Sequence, residues 1–376
     1  MNVNPRIRWT VLAASLIWSA PAAADQPMLN EAVDFGGQVL WLELGTPALI
    51  LAVTQDGDRR IAGFGEAAPG QAAPDGGTLM RVGSITKVFT GAMLAQMTAE
   101  GEVSLTDRLA DHLDWPDIDA TDGPAIRLID LATHGAGLPR EADREPGPED
   151  DPFATLTETA YRKAISDQPR LFAPGSGISY SNMGFDLLAM TLGQVGGQAY
   201  RDLLRTRLLD PIGLKNTVFA PREHDRLMQG HGFQGEALPD IPTTSVMSGA
   251  SGLYSTADDM LTWLEWHLAE DAATLTEARL LDHAAWVPRD GRSPVFAMDE
   301  SGHMDAMGLG WVIMRPDAGR PLILQKAGGL QGMFVYHAFA PAHDIGVFVA
   351  INQFDFDASL AIAAFANDLI AQLAGR

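Results

Sequence analysis

The 376-residue chain contains no cysteine. That absence removes disulfides, iron–sulfur clusters, thiolate zinc sites and a cysteine nucleophile together. Positive charge is scarce too: 26 Lys and Arg face 48 Asp and Glu, a formal net charge of −22. Such a surface repels nucleic-acid phosphates and offers no counterion-release gain, which excludes nucleic acid as a partner. Lysine is the rarer base, and only Lys87, Lys163, Lys215 and Lys326 break a strong preference for arginine. The composition is otherwise ordinary, at 46% hydrophobic and 20% charged, which excludes a disordered chain. The length accommodates one large domain or two modest ones.

The chain opens on an address label. Arg6 and Arg8 lead into an apolar run from Trp9 to Trp18, followed by small residues ending Ala22-Ala23-Ala24. This is the three-part plan of a secretory signal. The run falls well short of the ~20 residues needed to cross a bilayer. The expectation is therefore a cleavable leader over residues 1–24, a periplasmic product and no transmembrane segment in the mature chain. Losing Arg6 and Arg8 takes the net charge from −22 to −24.

Periodicity outlines the rest. Leu49–Thr54 and a second run to Phe64, joined by Gln55-Asp56-Gly57-Asp58, read as a β-hairpin. Leu79–Val82 reads as a short strand, and Ser84 opens a helix that ends near Gly101. From about residue 105 to 245 the pattern is mostly helical, over 126–133, 156–166, 183–195 and 200–209. The acidic stretch Glu141–Pro152 reads as a solvated loop. Ser255 or Thr256 caps a helix over 257–268. Strands return over 309–314, 322–325, 333–339 and 345–351, and an amphipathic helix over 360–373 packs on the sheet. The expected fold class is α/β (α+β): an antiparallel sheet built from both chain ends, flanked by helices, with a mostly helical insertion. The domain reading is 25–105 plus 246–376 for the sheet part and 106–245 for the inserted part.

Three short motifs carry chemistry. In Ser84-Ile85-Thr86-Lys87 the hydroxyl and amine sit at i and i+3, on one helical face. A serine needs a base before it attacks a carbonyl; a lysine whose pKa is lowered can serve, and an arginine cannot. Tyr180-Ser181-Asn182 supplies a phenol that can pass protons near cations and an amide that can bond a substrate carbonyl. Lys326-Ala327-Gly328-Gly329 supplies a cation for a carboxylate and glycines against which a bound chain can lie. Each motif alone is weak, and all three together are specific. Other classes fare worse. G-x-S-x-G is absent, which disfavours an ordinary α/β-hydrolase. Pro69 and Gly70 interrupt the faint dinucleotide loop at Gly63-Phe64-Gly65. The nine histidines form no H-E-x-x-H and no evident pair with nearby acids, so neither metal nor cofactor is expected. His134 reads as a residue that fixes a loop.

Order, spacing and flanking sequence resemble the serine penicillin-recognising enzymes of the class C β-lactamase and D,D-peptidase family. The nearest branch is the periplasmic, AmpH-type D-alanyl-D-alanine carboxypeptidase/endopeptidases. The resemblance is carried by Val82–Lys87, Leu131-Ala132-Thr133-His134 with Leu138-Pro139-Arg140-Glu141, Tyr180-Ser181-Asn182, Gly252–Thr256, Gly308–Trp311 and Gln325–Gly329. It implies that Ser84 is acylated, that Lys87 is its base partner and that Tyr180 shuttles protons. Asn182 would hold the substrate amide, and Lys326 would sit near the substrate carboxylate. The main-chain N–H groups of Ser84 and Gly329 would form the oxyanion hole. Two positions depart from the family pattern: Ala327 replaces the usual Thr, and Gly135-Ala136 replace Thr-Ser. The implied partners are peptidoglycan peptides and β-lactams. The expected activity is exported carboxypeptidase/endopeptidase hydrolysis through an acyl-enzyme. The alternatives are a class C-like β-lactamase or carboxylesterase on the same scaffold, and a non-hydrolytic penicillin- or peptidoglycan-binding protein.

Overall fold

Strand β1 (Ala48–Gln55) is apolar at nearly every position because the sheet it belongs to is covered on both faces. Ala48, Ile50 and Ala52 enter one core with Phe89, Trp263 and Leu264; Leu49, Leu51 and Val53 enter a second with Val33, Ile362 and Ile370. Alternate residues of a strand point to opposite faces, so one segment serves both cores. Each such buried aliphatic side chain contributes about 1.5–3 kcal/mol. The computed structural model describes residues 27–115, 118, 123–269, 276–299 and 301–375. The expected leader, residues 1–24, lies outside the described residues.

Helix α1 (Pro27–Leu44) precedes β1, and β2 (Asp58–Gly65) follows it. Asp56 and Gly57 join the two strands with φ of 51° and 82°, the paired positive values of a type I′ turn. The chain then passes through the two-residue strand β3 (Met80–Arg81) into α2 (Thr86–Ala99). Next come α3 (Leu128–Ala132), α4 (Glu158–Asp167), β4 (Ile178–Ser179), α5 (Asn182–Val195), α6 (Tyr200–Leu204) and the short α7 (Asp210–Ile212). After β5 (Tyr254–Ser255) the helices α8 (Ala257–Leu268) and α9 (Thr276–His283) lead to β6 (Val287–Pro288), β7 (Val295–Phe296), β8 (Ala306–Met307) and β9 (Val312–Met314). The chain closes with β10 (Ile323–Leu330), β11 (Met333–Ala340), β12 (Ile345–Ile351) and α10 (Phe356–Ala374).

Eight strands form one antiparallel sheet in the order β2-β1-β12-β11-β10-β9-β8-β6. β1 pairs directly with β12, Leu51 opposite Val349, so strands from the two ends of the chain lie side by side, one strand in from the β2 edge. β3 pairs with β5, and β4 runs parallel to β7. The expected antiparallel sheet flanked by helices is therefore what forms.

Several boundaries differ for physical reasons. The strand read as ending at Gln325 continues to Leu330, because Gly328 and Gly329 stay in register with Val335 and Phe334. The helix read over 200–209 turns π-helical at Arg205–Leu209. Of the two caps that the sequence offers for α8 it is Thr256 that serves, its side chain accepting from the Asp259 N–H while Ser255 remains in β5. Helix α1 gave no readable signal because Gly36-Gly37 interrupts it. A Cβ at Gly37 would lie 2.7 Å from the Phe64 ring, so the glycine lets the helix pack closely on β2. Helix α10 is long and apolar enough to cross a membrane, but Ile362, Ala366, Leu369, Ile370 and Leu373 are buried in the second core.

Candidate active site

The site begins where two stretches of backbone touch. Gly83–Ile85 form a 3₁₀ turn ahead of α2, so Ser84 stands on that turn and its hydroxyl caps nothing. Gly83 has φ of 49°, and a Cβ there would lie 2.8 Å from the Gly329 nitrogen. A Cβ at Gly328 would lie 2.2 Å from the Val82 oxygen and 3.0 Å from the Ser84 nitrogen. Only glycine permits that approach. It lays the main chain of β10 against the turn that carries Ser84.

Lys87 is the second residue of α2, three residues on from Ser84, and is wholly buried. Its Nζ donates to Asn182 Oδ1 at 2.6 Å and to the Ala250 carbonyl at 2.9 Å, and sits 3.2 Å from Ser84 Oγ. Burial pushes its pKa down to about 7; the charges of Asp186 and Glu141 act the other way, and Arg140 adds to the lowering. A neutral amine has two N–H groups and one lone pair. With both N–H groups held by carbonyl oxygens, the lone pair is left for the Ser84 hydroxyl. That is the geometry of a base poised on an alcohol.

Tyr180 follows β4. The Nζ atoms of Lys87 and Lys326 lie 4.8 and 5.2 Å from its ring centroid, and the Arg140 guanidinium 4.7 Å away. Behind it, His134 stacks at 4.5 Å and accepts the Ser181 N–H on Nδ1 at 3.1 Å. Burial, then Lys87, Lys326 and Arg140, hold the His134 pKa well below its ordinary value, so the ring is neutral. It anchors the turn between β4 and α5. Ser181 caps α5 by accepting from Gly184 N–H at 3.0 Å, which sets Asn182 as the first helical residue.

The Asn182 amide is engaged at both ends: its oxygen accepts from Lys87, and its Nδ2 donates one N–H to Glu141 Oε1 on the acidic loop. Lys326 is nearly buried in β10 and donates to the Ala327 carbonyl at 2.6 Å. Ser84, Arg140, Tyr180, Lys326, Ala327, Gly328 and Gly329 line a cleft of about 610 Å³. Lys87 and Asn182 are not among the lining residues and reach the cleft through the Lys87–Ser84 contact. The lining also has an apolar share, with Met298, Phe334, Phe354, Phe356 and Leu360. The structure thus gathers all seven of the expected residues around one cleft.

Sequence reading missed the layer below. Asp186 lies four residues beyond Asn182, on the same face of α5. It is buried, accepts from Tyr161 Oη at 2.7 Å and from the N–H groups of Gly249 and Ala250 at 3.1 and 2.8 Å. Its pKa is pushed up to about 7 by burial, against the pull of these hydrogen bonds and of Lys87. Asp186 therefore holds the loop whose Ala250 carbonyl orients Lys87. The i+4 spacing from Asn182 was the available signal, but an acid on a helix face commonly points to water.

Comparison with known proteins follows the same outline. The family described as Beta-lactamase matches residues 29–372. The chain is 32% identical over 374 residues to the D-alanyl-D-alanine-carboxypeptidase/endopeptidase AmpH of Escherichia coli K12, covering 97% of this chain and 95% of that protein. A β-lactamase of Pseudomonas fluorescens is 24% identical over 346 residues, covering 86% and 94%. Among solved structures, a β-lactamase/D-alanine carboxypeptidase from Yersinia pestis, complexed with citrate, superposes with a TM-score of 0.81 at 31% identity over 92% of this chain and 98% of that one. A class C β-lactamase superposes at 0.77 with 20% identity, covering 93% and 98%, a likeness of fold.

Proposed function

The chain belongs to the Beta-lactamase family and is a serine hydrolase, and from that footing we propose that it is an exported D-alanyl-D-alanine carboxypeptidase/endopeptidase acting on peptidoglycan peptides. The observation that carries this reading is the Lys87 amine, 3.2 Å from Ser84 Oγ, with its two other contacts on carbonyl oxygens. Ser84 attacks the peptide carbonyl as its proton passes to Lys87 Nζ. The negative charge that develops on the carbonyl oxygen falls to the main-chain N–H groups of Ser84 and Gly329, donors of the kind that supply the largest electrostatic share in acyl transfer. Tyr180 delivers a proton to the departing amine, which leaves as D-alanine or as the cross-linked stem. Water then enters and gives a proton to the Tyr180 phenolate left by the first step, and Lys87 returns its proton to Ser84 Oγ as the acyl group leaves as the free acid.

Lys326 and Arg140 give the cleft two positive charges for a terminal carboxylate, in a protein that is otherwise strongly acidic. Asn182 orients Lys87 through its oxygen. Its Nδ2 has a second N–H, beyond the one donated to Glu141, for a substrate carbonyl. β-Lactams enter as mimics, presenting a strained amide to Ser84 and a carboxylate to Lys326. The reading keeps the division into a sheet part, 25–105 with 246–376, and an inserted part, 106–245. Ser84, Lys87 and Lys326 come from the first part, Tyr180 and Asn182 from the second. The leader at residues 1–24 would deliver the enzyme to the periplasm, where its substrate lies.

The test is penicillin treatment followed by intact mass and peptide mapping, beside D-alanine release from a D-Ala-D-Ala peptide. A persistent adduct on Ser84 with peptide hydrolysis is expected, and Ser84→Ala should lose both. Rapid penicillin turnover would instead indicate a lactamase. Absence of any adduct would indicate an esterase, and an adduct without peptide hydrolysis a binding protein.

A further inference from the structure

Three side chains that the proposed chemistry does not use converge on Phe339 of β11, on the face of the sheet that packs against α2 and α8. His267 ends α8, and Asp282 and His283 end α9. The side chains of His267 and Asp282 are wholly buried, and His283 is 19% exposed. His267 Nδ1 and His283 Nε2 share a hydrogen bond at 2.7 Å, and Asp282 Oδ2 lies 3.7 and 3.9 Å from those two nitrogens. The carboxylate is thus beyond hydrogen-bond reach of either ring. It accepts one bond, from Trp311 Nε1 at 2.8 Å, and its Oδ1 has no hydrogen-bond partner among the described residues. Arg279, the neighbouring cation, donates to the main-chain carbonyls of Trp266 and Ala269. A bound cation would offset the cost of burying that carboxylate in its charged form.

The three separations define where one would sit. The point equidistant from the two nitrogens and Oδ2 lies about 2.0 Å from each, the distance zinc keeps to imidazole nitrogen and carboxylate oxygen, and tetrahedral binding there would part the two rings to about 3.3 Å and replace their hydrogen bond. Two imidazoles and one carboxylate are a common ligand set for zinc and related divalent ions. The Trp311 N–H orients the carboxylate from outside, as groups behind metal ligands do. Trp263, Trp266 and Phe339 wall the cluster, and the partly exposed edge of His283 gives access from solvent.

We propose that His267, Asp282 and His283 bind one divalent transition-metal ion, zinc or a close analogue, which ties the ends of α8 and α9 to the chain at Trp311. The fourth position falls to Asp282 Oδ1 or to water. The absence of a zinc motif in the sequence is consistent with this, because His267 and the adjacent pair Asp282-His283 come from different helices. The role is structural. Gly310, next to Trp311, lies against Lys87, where a Cβ would meet the Lys87 carbonyl at 2.9 Å, so the ion would brace the wall behind the cleft.

The experiment uses the mature chain without a histidine tag, stripped with chelator and titrated with Co²⁺. One equivalent should bind with the visible absorption of a low-symmetry Co²⁺ site, Zn²⁺ should displace it, and Zn²⁺ should raise the Tm. His283→Ala, at the solvent edge, should weaken binding by about 100-fold or more and abolish the Tm shift. Asp282→Asn, which keeps the shape and the Trp311 bond, should do likewise. A folded wild type that takes up no stoichiometric Co²⁺ overturns the proposal, as does a Co²⁺ spectrum that both variants retain.

Discussion

A lysine that works as a base must spend part of its time uncharged, and Lys87 is held there by burial rather than by a neighbouring cation alone. With its pKa pushed down to about 7, the neutral fraction falls tenfold per pH unit below that point. The kcat/KM profile for peptide hydrolysis should therefore show an acid limb near pH 7; activity unchanged from pH 7 to 5 would remove Lys87 as the base. Lys87→Arg keeps the charge and loses the lone pair, so kcat should fall by about 10²–10⁴. Near-normal turnover in that variant would refute the assignment. Ala327 faces the cleft without the hydroxyl that the family usually has there. Ala327→Thr adds one hydrogen bond for a carboxylate, and kcat/KM for carboxylate-bearing substrates should rise about 2–10-fold over matched esters. An equal change for both would count against that role.

Elements matter here chiefly through what they let approach. The Ser84 turn and β10 touch because residues 83 and 328 carry no side chain. Gly328→Ala would drive a methyl group into the Val82 carbonyl and part the two backbones. Its kcat should fall by about 10²–10³, the cost of losing an oxyanion donor, with a lowered Tm. Retained kcat would mean that the contact does not shape the oxyanion site. The hairpin at Asp56-Gly57 and α8 with its cap were legible because each is set by local chemistry: paired positive φ in one, a Thr-Ala-Asp-Asp start in the other. The extension of β10 through Gly328 and Gly329 was not, since glycine locally signals a break and only pairing with β11 carries the strand on.

At the scale of the whole molecule, a cysteine-free chain relies on two cores, one on each face of a sheet that joins its own ends. If residues 1–24 are a leader, the exported protein should begin at Asp25. N-terminal sequencing of a periplasmic fraction checks this, and material still beginning at Met1 would overturn it. The seven residues named from motifs all gather at one cleft because order and spacing along the chain recorded their chemistry. Asp186, Tyr161 and the Ala250 carbonyl went unread because nothing local sets them apart. A buried acid becomes a support only when α4, α5 and the loop at Gly249 fold onto one another.

Residue types and their spacing were enough to name the alcohol, the amine, the phenol and the second ammonium, since reactivity belongs to the functional group. Burial decided the rest. How far the amine is discharged, which carbonyls aim its lone pair and which histidines meet a carboxylate all depend on removing water, and only packing between segments distant in the chain does that.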